Sequence, residues 1–224
     1  MPIERGAAPL VVIGAGGHGA EVAAYAVDMG LPLAGAFDDG KLPGPWHVTR
    51  LLGGLADLAA FCGSHGQVRY ITAVGSNAVR RRIVARLHDL GIANLEPFTL
   101  CHPSAWTGAS VKAGAGTLLA PNTLVTTRVS IGEHCILNVK ASISHDCVIG
   151  DFCNINPNAT ICGDVSIGEG CYIGAGATVI EKRRIGAWTT VGAGAVVTQD
   201  LPDGVTAVGV PARIVKRPGI PELA

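Results

Sequence analysis

The stretch ISHDCVIGDFCNINPNATICGDVSIGEGCYIG, residues 143–174, decides the fold because an aliphatic residue returns at every sixth position. The same six-residue spacing continues in both directions: every sixth residue from Leu119 to Val197, fourteen positions in all, is Ile, Leu or Val. A period of six fits neither an α-helix nor a simple alternating strand. It is typical of short strands joined by tight turns, with three strands in each coil of about eighteen residues. The sequence therefore predicts a triangular parallel β-helix.

Small residues recur four positions after each aliphatic residue and complete the predicted core. This class includes four of the seven cysteines: Cys135, Cys147, Cys153 and Cys171. Those that lie one coil apart should stack as a buried column of small apolar side chains. Thr107 and Ala113 continue the aliphatic phase upstream. The predicted β-helix thus covers roughly residues 101–202, or between five and six coils.

The composition agrees with a core of small and aliphatic side chains and argues against some classes of function. Of 224 residues 31 are glycine, and only 4% are aromatic. Lys and Arg number 17 against 17 Asp and Glu, and this balance argues against a nucleic-acid or anionic-membrane binder. Residues 1–20 have neither a cationic signal-peptide start nor a long apolar span, so we expect a cytoplasmic protein. The odd cysteine count without a C-x-x-C motif predicts no disulfide framework.

The first hundred residues predict a small Rossmann-like α/β domain with a parallel sheet. The predicted strands are Pro9–Gly14, Leu31–Phe37 and Val68–Val74; the predicted helices run to about Met29 and over Leu55–Phe61 and Asn77–Leu90. Prolines interrupt the pattern near residues 96–103. We therefore expect two domains, an α/β domain at 1–98 and the β-helix with a short tail at 99–224.

A glycine-rich turn follows the first predicted strand. Gly14, Gly16 and Gly19 fit G-x-G-x-x-G, and Asp38 and Asp39 follow about twenty residues later, as in dinucleotide-binding domains. Backbone amides at such a helix start cradle a phosphate or diphosphate. Because the domain is only half of a doubly wound dinucleotide fold, we expect a nucleotide diphosphate bearing another group rather than NAD. The alternative is a turn that only packs a helix on a strand.

Two histidines, His134 and His145, occupy outward positions of the predicted β-helix, where we expect them to face solvent. Asp146 follows His145 and would hold its tautomer, as an orienting acid does for a general base. Gly163, one coil later, would let a ligand approach and offer it an amide. His145 is therefore a candidate general base. A zinc site formed by His102, His134 and His145 lacks the close pair of histidines found in β-helical carbonic anhydrases, so we expect no metal.

Several motifs in chain order resemble those of one bacterial enzyme family. They are GAGGHG at 14–19, FDD at 37–39, AVGSN at 73–77 followed by Arg80, LCHPSA at 100–105, N-x6-HDC-x-IGDF at 138–152 and VGVPAR at 208–213. This combination is similar to the nucleotide-sugar acetyltransferases that include bacillosamine-type and perosamine-type N-acetyltransferases and sialic-acid O-acetyltransferases. The resemblance implies a left-handed β-helix, a homotrimer, and acetyl-CoA bound between neighbouring β-helices.

The resemblance also implies roles for residues of the β-helix. His145 would be the general base, Asp146 would raise its basicity, and Asn138 would line the same cleft. The amide of Gly163 would stabilise the thioester carbonyl. Backbone positions Ala175 and Ala193, one coil apart, would line the channel for the pantetheine arm of the coenzyme.

In the α/β domain the resemblance implies a nucleotide-sugar site. Gly16, Gly17 and His18 would contact the phosphates or the adjacent sugar. Asp38 and Asp39 would bind the base, and Ser76 or Asn77 the nearby part of the nucleotide. The segment KLPGPWH at 41–47 is longer than in compact relatives, so the base and the sugar stay open.

Other departures from the family pattern concern the coenzyme. Asn154 stands where many relatives have a histidine that touches acetyl-CoA, and it keeps hydrogen bonding without a titrating group. Arg183 falls on a normally small, inward position. The sequence leaves open whether Arg183 and Arg184 contact coenzyme A. A basic rim for its 3′-phosphate would combine Arg183 with Arg213, Lys216 and Arg217, and the alternative is an ordinary solvated charge cluster.

Together these features predict an acetyl-CoA-dependent N-acetyltransferase. Its acceptor would be the amino group of a nucleotide-linked 4-amino-4,6-dideoxy sugar, acetylated by direct transfer with His145 as base. Two alternatives stay open: an O-acetyltransferase that acts on a sialic-acid-like sugar, and a non-catalytic nucleotide-binding scaffold trimer.

Overall fold

The computed structural model of the protein describes residues 8–216 and divides the chain between Phe98 and Thr99 into two units. Each unit has its own hydrophobic core. Leu58 and Phe37 are central to the first core, and a long series of aliphatic and small residues from Leu119 to Ala212 forms the second. In the part of the chain that is described, no helix is long and apolar enough to cross a lipid bilayer.

The first unit is an α/β domain with one six-stranded sheet. Its strands are β1 (Leu10–Ile13), β2 (Leu33–Phe37), β3 (Gly44–Trp46), β4 (Thr49–Gly53), β5 (Val68–Thr72) and β6 (Leu95–Pro97). Its helices are α1 (Gly17–Asp28), α2 (Leu58–Gly63) and α3 (Asn77–Asp89), with a 3₁₀ turn at Leu55–Asp57. The strand order is β3-β4-β2-β1-β5-β6, and every pair is parallel except β3 with β4. The predicted parallel α/β fold is confirmed.

Burial explains which strands the sequence predicts. All four residues of β1 (LVVI) are buried, as expected for the centre of a parallel sheet covered on both faces. The hairpin β3–β4 is not predicted, because its Gly- and Pro-containing segment is typical of a loop. β6 contains Pro97 and is tolerated because it lies at the edge of the sheet.

The second unit is the predicted left-handed parallel β-helix. Its strands of two residues are β7 (Leu100–Cys101), β8 (Trp106–Thr107), β9 (Lys112–Ala113), β10 (Leu118–Leu119), β11 (Leu124–Val125), β12 (Ser130–Ile131), β13 (Ile136–Leu137), β14 (Ser142–Ile143), β15 (Val148–Ile149), β16 (Asn154–Ile155), β17 (Thr160–Ile161), β18 (Ser166–Ile167), β19 (Tyr172–Ile173), β20 (Thr178–Val179), β21 (Arg184–Ile185), β22 (Thr190–Val191) and β23 (Val196–Val197). The longer strands β24 (Thr206–Val208) and β25 (Arg213–Lys216) follow.

Every third strand joins the same sheet, which gives three sheets. Sheet I runs β7-β10-β13-β16-β19-β22-β24-β25, sheet II β8-β11-β14-β17-β20-β23, and sheet III β9-β12-β15-β18-β21. Residues one coil apart stand in register, as Ile143 does with Ile161. Both are buried, which confirms that the six-residue aliphatic phase points inward.

The turns between the sheets stack into three edges. Edge I–II contains residues 138–141, 156–159, 174–177 and 192–195. Edge II–III contains residues 126–129, 144–147, 162–165 and 180–183. Edge III–I contains residues 132–135, 150–153, 168–171 and 186–189.

The β-helix extends beyond its predicted C-terminal limit. Val191 in β22 pairs with Ala207 in β24, a step of sixteen residues in place of eighteen. β25 then turns back and pairs antiparallel with β24. A coil that breaks the period carries no hexapeptide signal, so the sequence does not predict it.

The cysteine column is present. Cys135, Cys153 and Cys171 are fully buried, and their thiols donate to the carbonyls of Gly150, Gly168 and Gly186 at 2.9–3.1 Å. All seven cysteines of the chain are free thiols.

The prediction that His134 faces solvent is wrong. Its side chain is 4% exposed and stacks on the ring of Phe152, with centroids 5.5 Å apart. The reason lies in the neighbouring coils of edge III–I. Gly116, one coil before, leaves room for the imidazole, since a Cβ there would lie 2.3 Å from its Nδ1. The ring therefore lies along the edge, covered by Phe152 from the next coil.

Candidate active site

His145 and Asp146 lie together on edge II–III. The Nδ1 of His145 is 2.7 Å from the Oδ2 of Asp146, and the imidazole is 59% exposed. Because an ionised carboxylate only accepts hydrogen bonds, Nδ1 carries the proton of the neutral ring and Nε2 keeps its lone pair. The pair therefore has the tautomer that a general base requires.

Gly163 lies directly beside this ring, one coil later. A Cβ at Gly163 would lie 2.6 Å from the Cε1 of His145 and 2.7 Å from its Nε2. Only glycine therefore leaves the imidazole in this place. Among residues 8–216, no acceptor takes the amide of Gly163. The structure thus brings His145, Asp146 and Gly163 together, as the eighteen-residue spacing suggests.

Arg128, one coil before Asp146, is a member of this cluster that the sequence analysis missed. Its guanidinium binds the carboxylate through two hydrogen bonds, Nε to Oδ1 at 2.6 Å and Nη2 to Oδ2 at 2.8 Å. Arg128, and after it His145, holds the pKa of Asp146 well below its usual range. Arg128 and Asp146 are also 18 residues apart, but this spacing does not indicate in which direction the arginine side chain leaves its turn.

The residue expected to line the cleft of His145 and the two expected to line the coenzyme channel lie on a different edge. Asn138, Ala175 and Ala193 belong to edge I–II. The Oδ1 of Asn138 accepts the amide of Val139 at 2.7 Å, and no described hydrogen bond joins Asn138 to His145. Ala175 and Ala193 are exposed small residues on adjacent coils. A single β-helix therefore does not gather all the predicted coenzyme-binding residues in one place.

Asn154 lies on neither of these edges. It is the outward residue of β16 in sheet I, yet it is only 2% exposed. It stays a predicted coenzyme contact, but its side chain has little free surface in the single chain.

The predicted basic rim is not assembled by described contacts. The phase of the repeat places Arg183 inward, but its side chain does not enter the core and is 31% exposed. Its Nε donates to the carbonyl of Glu181 at 3.1 Å, and its Nη1 is 3.7 Å from Asp200. A guanidinium is too large and polar for the aliphatic interior, so it turns toward this carboxylate. Arg184, Arg213 and Lys216 are exposed, whereas Arg217 lies outside the described residues.

The glycine turn of the α/β domain divides its glycines between two roles. A Cβ at Gly14 would lie 2.6 Å from Val74 Cγ2, and one at Gly19 would lie 2.0 Å from the carbonyl oxygen of Gly14. These two glycines allow α1 to pack closely. A Cβ at Gly16 or Gly17 would meet nothing within 4 Å. Packing therefore does not explain the middle glycines, which leave open space at the start of α1.

The N-terminus of α1 suits an anion. Gly16 is the N-cap and offers no side-chain cap, and the first turn contains no acidic residue. The helix dipole and the first amides favour negative charge at such an end. His18, in this turn, places Nδ1 3.2 Å from Glu21, and its buried Nε2 has no hydrogen-bond partner among residues 8–216. Burial, which outweighs Glu21, lowers the pKa of His18 below 6.5 and keeps the ring neutral near neutral pH.

A cavity of about 360 Å³ opens beside the turn, and Gly14, Phe37, Asp38, Asp39 and Arg86 are among its lining residues. It lies at the carboxyl ends of β2, β1 and β5, and the strand order reverses between β1 and β5. Open α/β sheets bind ligands at this kind of position.

Asp38 and Asp39 line the cavity and also hold its walls. Asp38 accepts the amides of Ala15 at 2.7 Å and Gly40 at 2.9 Å. Asp39 accepts the amide of Leu55 at 2.7 Å and pairs with Arg86 at 2.9 Å. The pKa of Asp39 is lowered, mainly by the hydrogen bond from the Leu55 amide. Burial opposes this effect, and Arg86 adds to it.

Ser76 and Asn77 begin α3. The Oγ of Ser76 caps the helix by accepting the amide of Val79 at 3.5 Å, and Ser76 is exposed, whereas Asn77 is buried. Both stay predicted nucleotide contacts. Within residues 8–216, no cluster of three or more His, Cys, Asp or Glu side chains is arranged to hold a metal ion.

Comparison with known families agrees with the two units. Residues 9–87 match the PglD N-terminal domain, and residues 146–181 and 164–199 match the bacterial transferase hexapeptide, a family of six repeats. A comparison with curated proteins finds no significant match.

Three solved structures are similar over nearly the whole chain. PerB from Caulobacter crescentus, in complex with CoA and GDP-perosamine, is 34% identical, with 93% of this chain and 97% of that one covered and a TM-score of 0.86. The acetyltransferase domain of PglB from Neisseria gonorrhoeae is 33% identical, with 92% and 99% covered and a TM-score of 0.84. WeeI from Acinetobacter baumannii is 30% identical, with 92% and 99% covered and a TM-score of 0.81.

A variant of the Caulobacter enzyme, a GDP-perosamine N-acetyltransferase with one histidine replaced by alanine, was also solved with CoA and GDP-perosamine. The identity and the coverage of these relatives are high enough to fix the family. The chain is an acyltransferase that belongs to the PglD-type sugar acetyltransferases of the bacterial hexapeptide-repeat superfamily.

Proposed function

We propose that the protein transfers the acetyl group of acetyl-CoA to the amino group of a nucleotide-linked 4-amino-4,6-dideoxy sugar. The observation that carries the proposal is the His145–Asp146 pair, whose Nε2 lies open beside the backbone of Gly163. This arrangement holds a base, the acid that orients it and an unused amide donor within one edge of the β-helix.

The chemistry follows from these groups. Bound acetyl-CoA would supply an activated thioester. The Nε2 of His145 takes a proton from the acceptor amine as its nitrogen attacks the thioester carbonyl. The amide of Gly163 donates to the carbonyl oxygen as negative charge develops there. The imidazolium, held by Asp146, then returns the proton to the departing thiolate, so that no covalent link to the protein forms.

The α/β domain would bind the nucleotide part of the acceptor. The amides at the start of α1 and the open space at Gly16 and Gly17 suit a diphosphate. In the neutral ring with its proton on Nδ1, the buried Nε2 of His18 keeps a lone pair and would accept a hydrogen bond from a hydroxyl group of the adjacent sugar. The neighbouring cavity, lined by Asp38 and Asp39, has room for a base. The GDP-perosamine complex of the Caulobacter relative supports this assignment.

We further propose a homotrimer with acetyl-CoA between neighbouring β-helices. Its support is geometric: His145 lies on edge II–III, whereas Asn138, Ala175 and Ala193 lie on edge I–II. A cleft that brings both sets to one ligand would form where edge II–III of one copy faces edge I–II of another. Seven free thiols also suit a reducing compartment, which supports a cytoplasmic location.

A thiol-release assay tests the proposal. Acetyl-CoA is offered with UDP-, GDP- or dTDP-linked 4-amino sugars and, separately, with free sialic acid, and release of coenzyme A is followed. We expect release with at least one amino sugar, accompanied by acetyl-amide formation detected by mass spectrometry.

Two results would replace the proposal. Release with sialic acid alone, with an acetyl ester as product, would identify an O-acetyltransferase. No release with any acceptor, together with no binding of acetyl-CoA in calorimetry, would leave a non-catalytic nucleotide-binding scaffold.

A further inference from the structure

Arg128, Asp146 and His145 form a continuous chain of hydrogen bonds at the surface of edge II–III. Asp146 accepts two hydrogen bonds from the guanidinium, at 2.6 and 2.8 Å, and its Oδ2 also accepts from Nδ1 of His145 at 2.7 Å. A planar guanidinium bound through two nitrogens fixes the plane of the carboxylate as well as its position. The orientation of Asp146, and through it that of the imidazole, is therefore set by Arg128.

The backbone places this contact in register. Arg128 and Asp146 are 18 residues apart and both adopt the left-handed conformation, with φ of 52° and 62°. The amide of Arg128 donates to the Oγ of Ser110 at 2.8 Å, and the amide of Asp146 donates to the carbonyl of Thr127 at 3.1 Å. Two equivalent turns on successive coils thus project the two side chains from the same edge.

The guanidinium also sets the charge of the carboxylate. It is the main cause that lowers the pKa of Asp146, and Asp146 in turn raises the pKa of Arg128. In the next two coils, Asp164 and Lys182 occupy the position of Asp146. Gly163 and Glu181 occupy the position of His145 in the same two coils. Among residues 8–216, none of the three charged residues of these coils forms an ion pair with Asp146. Arg128 is therefore the cation that balances Asp146.

A carboxylate shared with a guanidinium attracts an imidazolium less strongly than a bare carboxylate does. Arg128 would thus have two separable effects. Its charge balances that of Asp146, and its two-nitrogen contact holds Asp146 in the plane that keeps the proton on Nδ1.

We propose that Arg128 is a positioning residue of the acetyl transfer, acting on His145 through Asp146. The proposal rests on the proposed function, in which His145 is the base. An ordinary exposed ion pair would contribute little to stability and nothing to the reaction.

Two variants separate the charge from the geometry. Arg128→Met removes both, and Arg128→Lys keeps the positive charge but cannot bind the carboxylate through two nitrogens of a planar group. For Arg128→Met we expect a kcat about tenfold lower, since a misplaced base loses rate steeply. The midpoint of the acid limb of the pH–rate profile should move to higher pH because the charge of Asp146 is no longer balanced. Arg128→Lys should lower kcat less and leave the midpoint in place. The KM for acetyl-CoA should stay within about twofold in both variants.

The matched control is Arg82→Met, the same change at an exposed arginine of α3. It should leave kcat and the pH profile as in the wild type. Circular dichroism verifies that each variant is folded. Wild-type kcat together with a wild-type acid limb in Arg128→Met would overturn the inference, whatever its effect on stability.

A second readout does not need the reaction. Histidine side-chain ¹⁵N spectra, with His145 assigned from its loss in His145→Gln, report the tautomer and the titration directly. We expect an Nδ1–H tautomer in the wild type and a higher titration midpoint in Arg128→Met. An unchanged titration would also overturn the inference. If the wild type acetylates no amino sugar, the proposed function fails, and these spectra still decide whether Arg128 controls His145.

Discussion

The imidazole of His145 lies against the backbone of Gly163, so close that a single methyl group on Gly163 would overlap the ring. A Cβ there would be 2.6 Å from Cε1 and 2.7 Å from Nε2. The backbone of Gly163 is not in the left-handed region, so alanine is compatible with its conformation. The contact between these two residues can therefore be altered without changing the fold.

We expect Gly163→Ala to push the imidazole away from its place and to lower kcat by about 10²-fold. Steady-state kinetics measure the loss, and circular dichroism should show an intact β-helix. Gly66→Ala is the matched control, because a Cβ at Gly66 meets nothing within 4 Å. A fully active Gly163→Ala protein would contradict the assignment of the reaction to this contact.

Replacing the base itself should affect catalysis and spare coenzyme binding. His145→Ala is expected to lower kcat by about 10² to 10⁴, the usual contribution of general acid–base catalysis. The affinity for acetyl-CoA, measured by calorimetry, should change little. His88→Ala, at a side chain that is 90% exposed on α3, serves as control. Turnover near the wild-type rate would remove His145 from the mechanism.

Asp146→Asn removes the negative charge beside the imidazole. The base must be neutral to act, and the loss of a nearby anion makes the imidazolium less stable. The acid limb of the pH–rate profile should therefore move to lower pH, while kcat falls. Asp89→Asn, at a side chain 81% exposed, is the control. An unmoved acid limb would leave Asp146 without a role in the proton transfer.

The glycines of the nucleotide turn should respond in opposite ways. Gly17→Val fills open space, so we expect the KM for the nucleotide-sugar to rise at least about tenfold with little change in Tm. Gly19→Ala places a Cβ 2.0 Å from the carbonyl oxygen of Gly14, so we expect a lower Tm. Kinetics and thermal unfolding of both variants test this pairing. A Gly17→Val protein with wild-type KM would show that no ligand approaches the turn there.

His18 should make stability depend on pH. Burial lowers its pKa in the folded protein below the ordinary value of 6.5, so the unfolded chain binds the proton more readily. The stabilisation is present above pH 6.5 and is lost as the pH falls through the lowered pKa. We expect Tm to drop more between about pH 7.5 and pH 5.5 in the wild type than in His18→Gln. Equal drops would show that the ring is protonated as easily in the fold as outside it.

The regular parts of the fold could be predicted because each residue's role repeats. One aliphatic phase from Leu119 to Val197 sets the inward face of the strands from β10 to β23. In the α/β domain, the ends of the predicted helices and strands lie within about three residues of those observed. The hairpin β3–β4, the edge strand β6 and the final short coil were missed, because none of them carries the period of a buried face.

The site was predictable only where a residue contacts its own neighbour or the backbone one coil away. His145, Asp146 and Gly163 satisfy that condition, and the structure places them together. Arg128 and His134 do not, because their contacts depend on the direction in which a long side chain leaves a left-handed turn. For His134 that direction is set by the ring of Phe152 and the space at Gly116 in adjoining coils.

The reversed strand β25 bears on the behaviour of the protein at high concentration. A parallel ladder that stopped at β24 would present unpaired amides and carbonyls to the first strand of another molecule, a template for end-to-end fibrils. β25 pairs antiparallel with this open edge of β24, and Arg213 and Lys216 are exposed on β25. At this end of sheet I, a second molecule would therefore meet a strand of opposite polarity with two exposed cations, which disfavours head-to-tail growth.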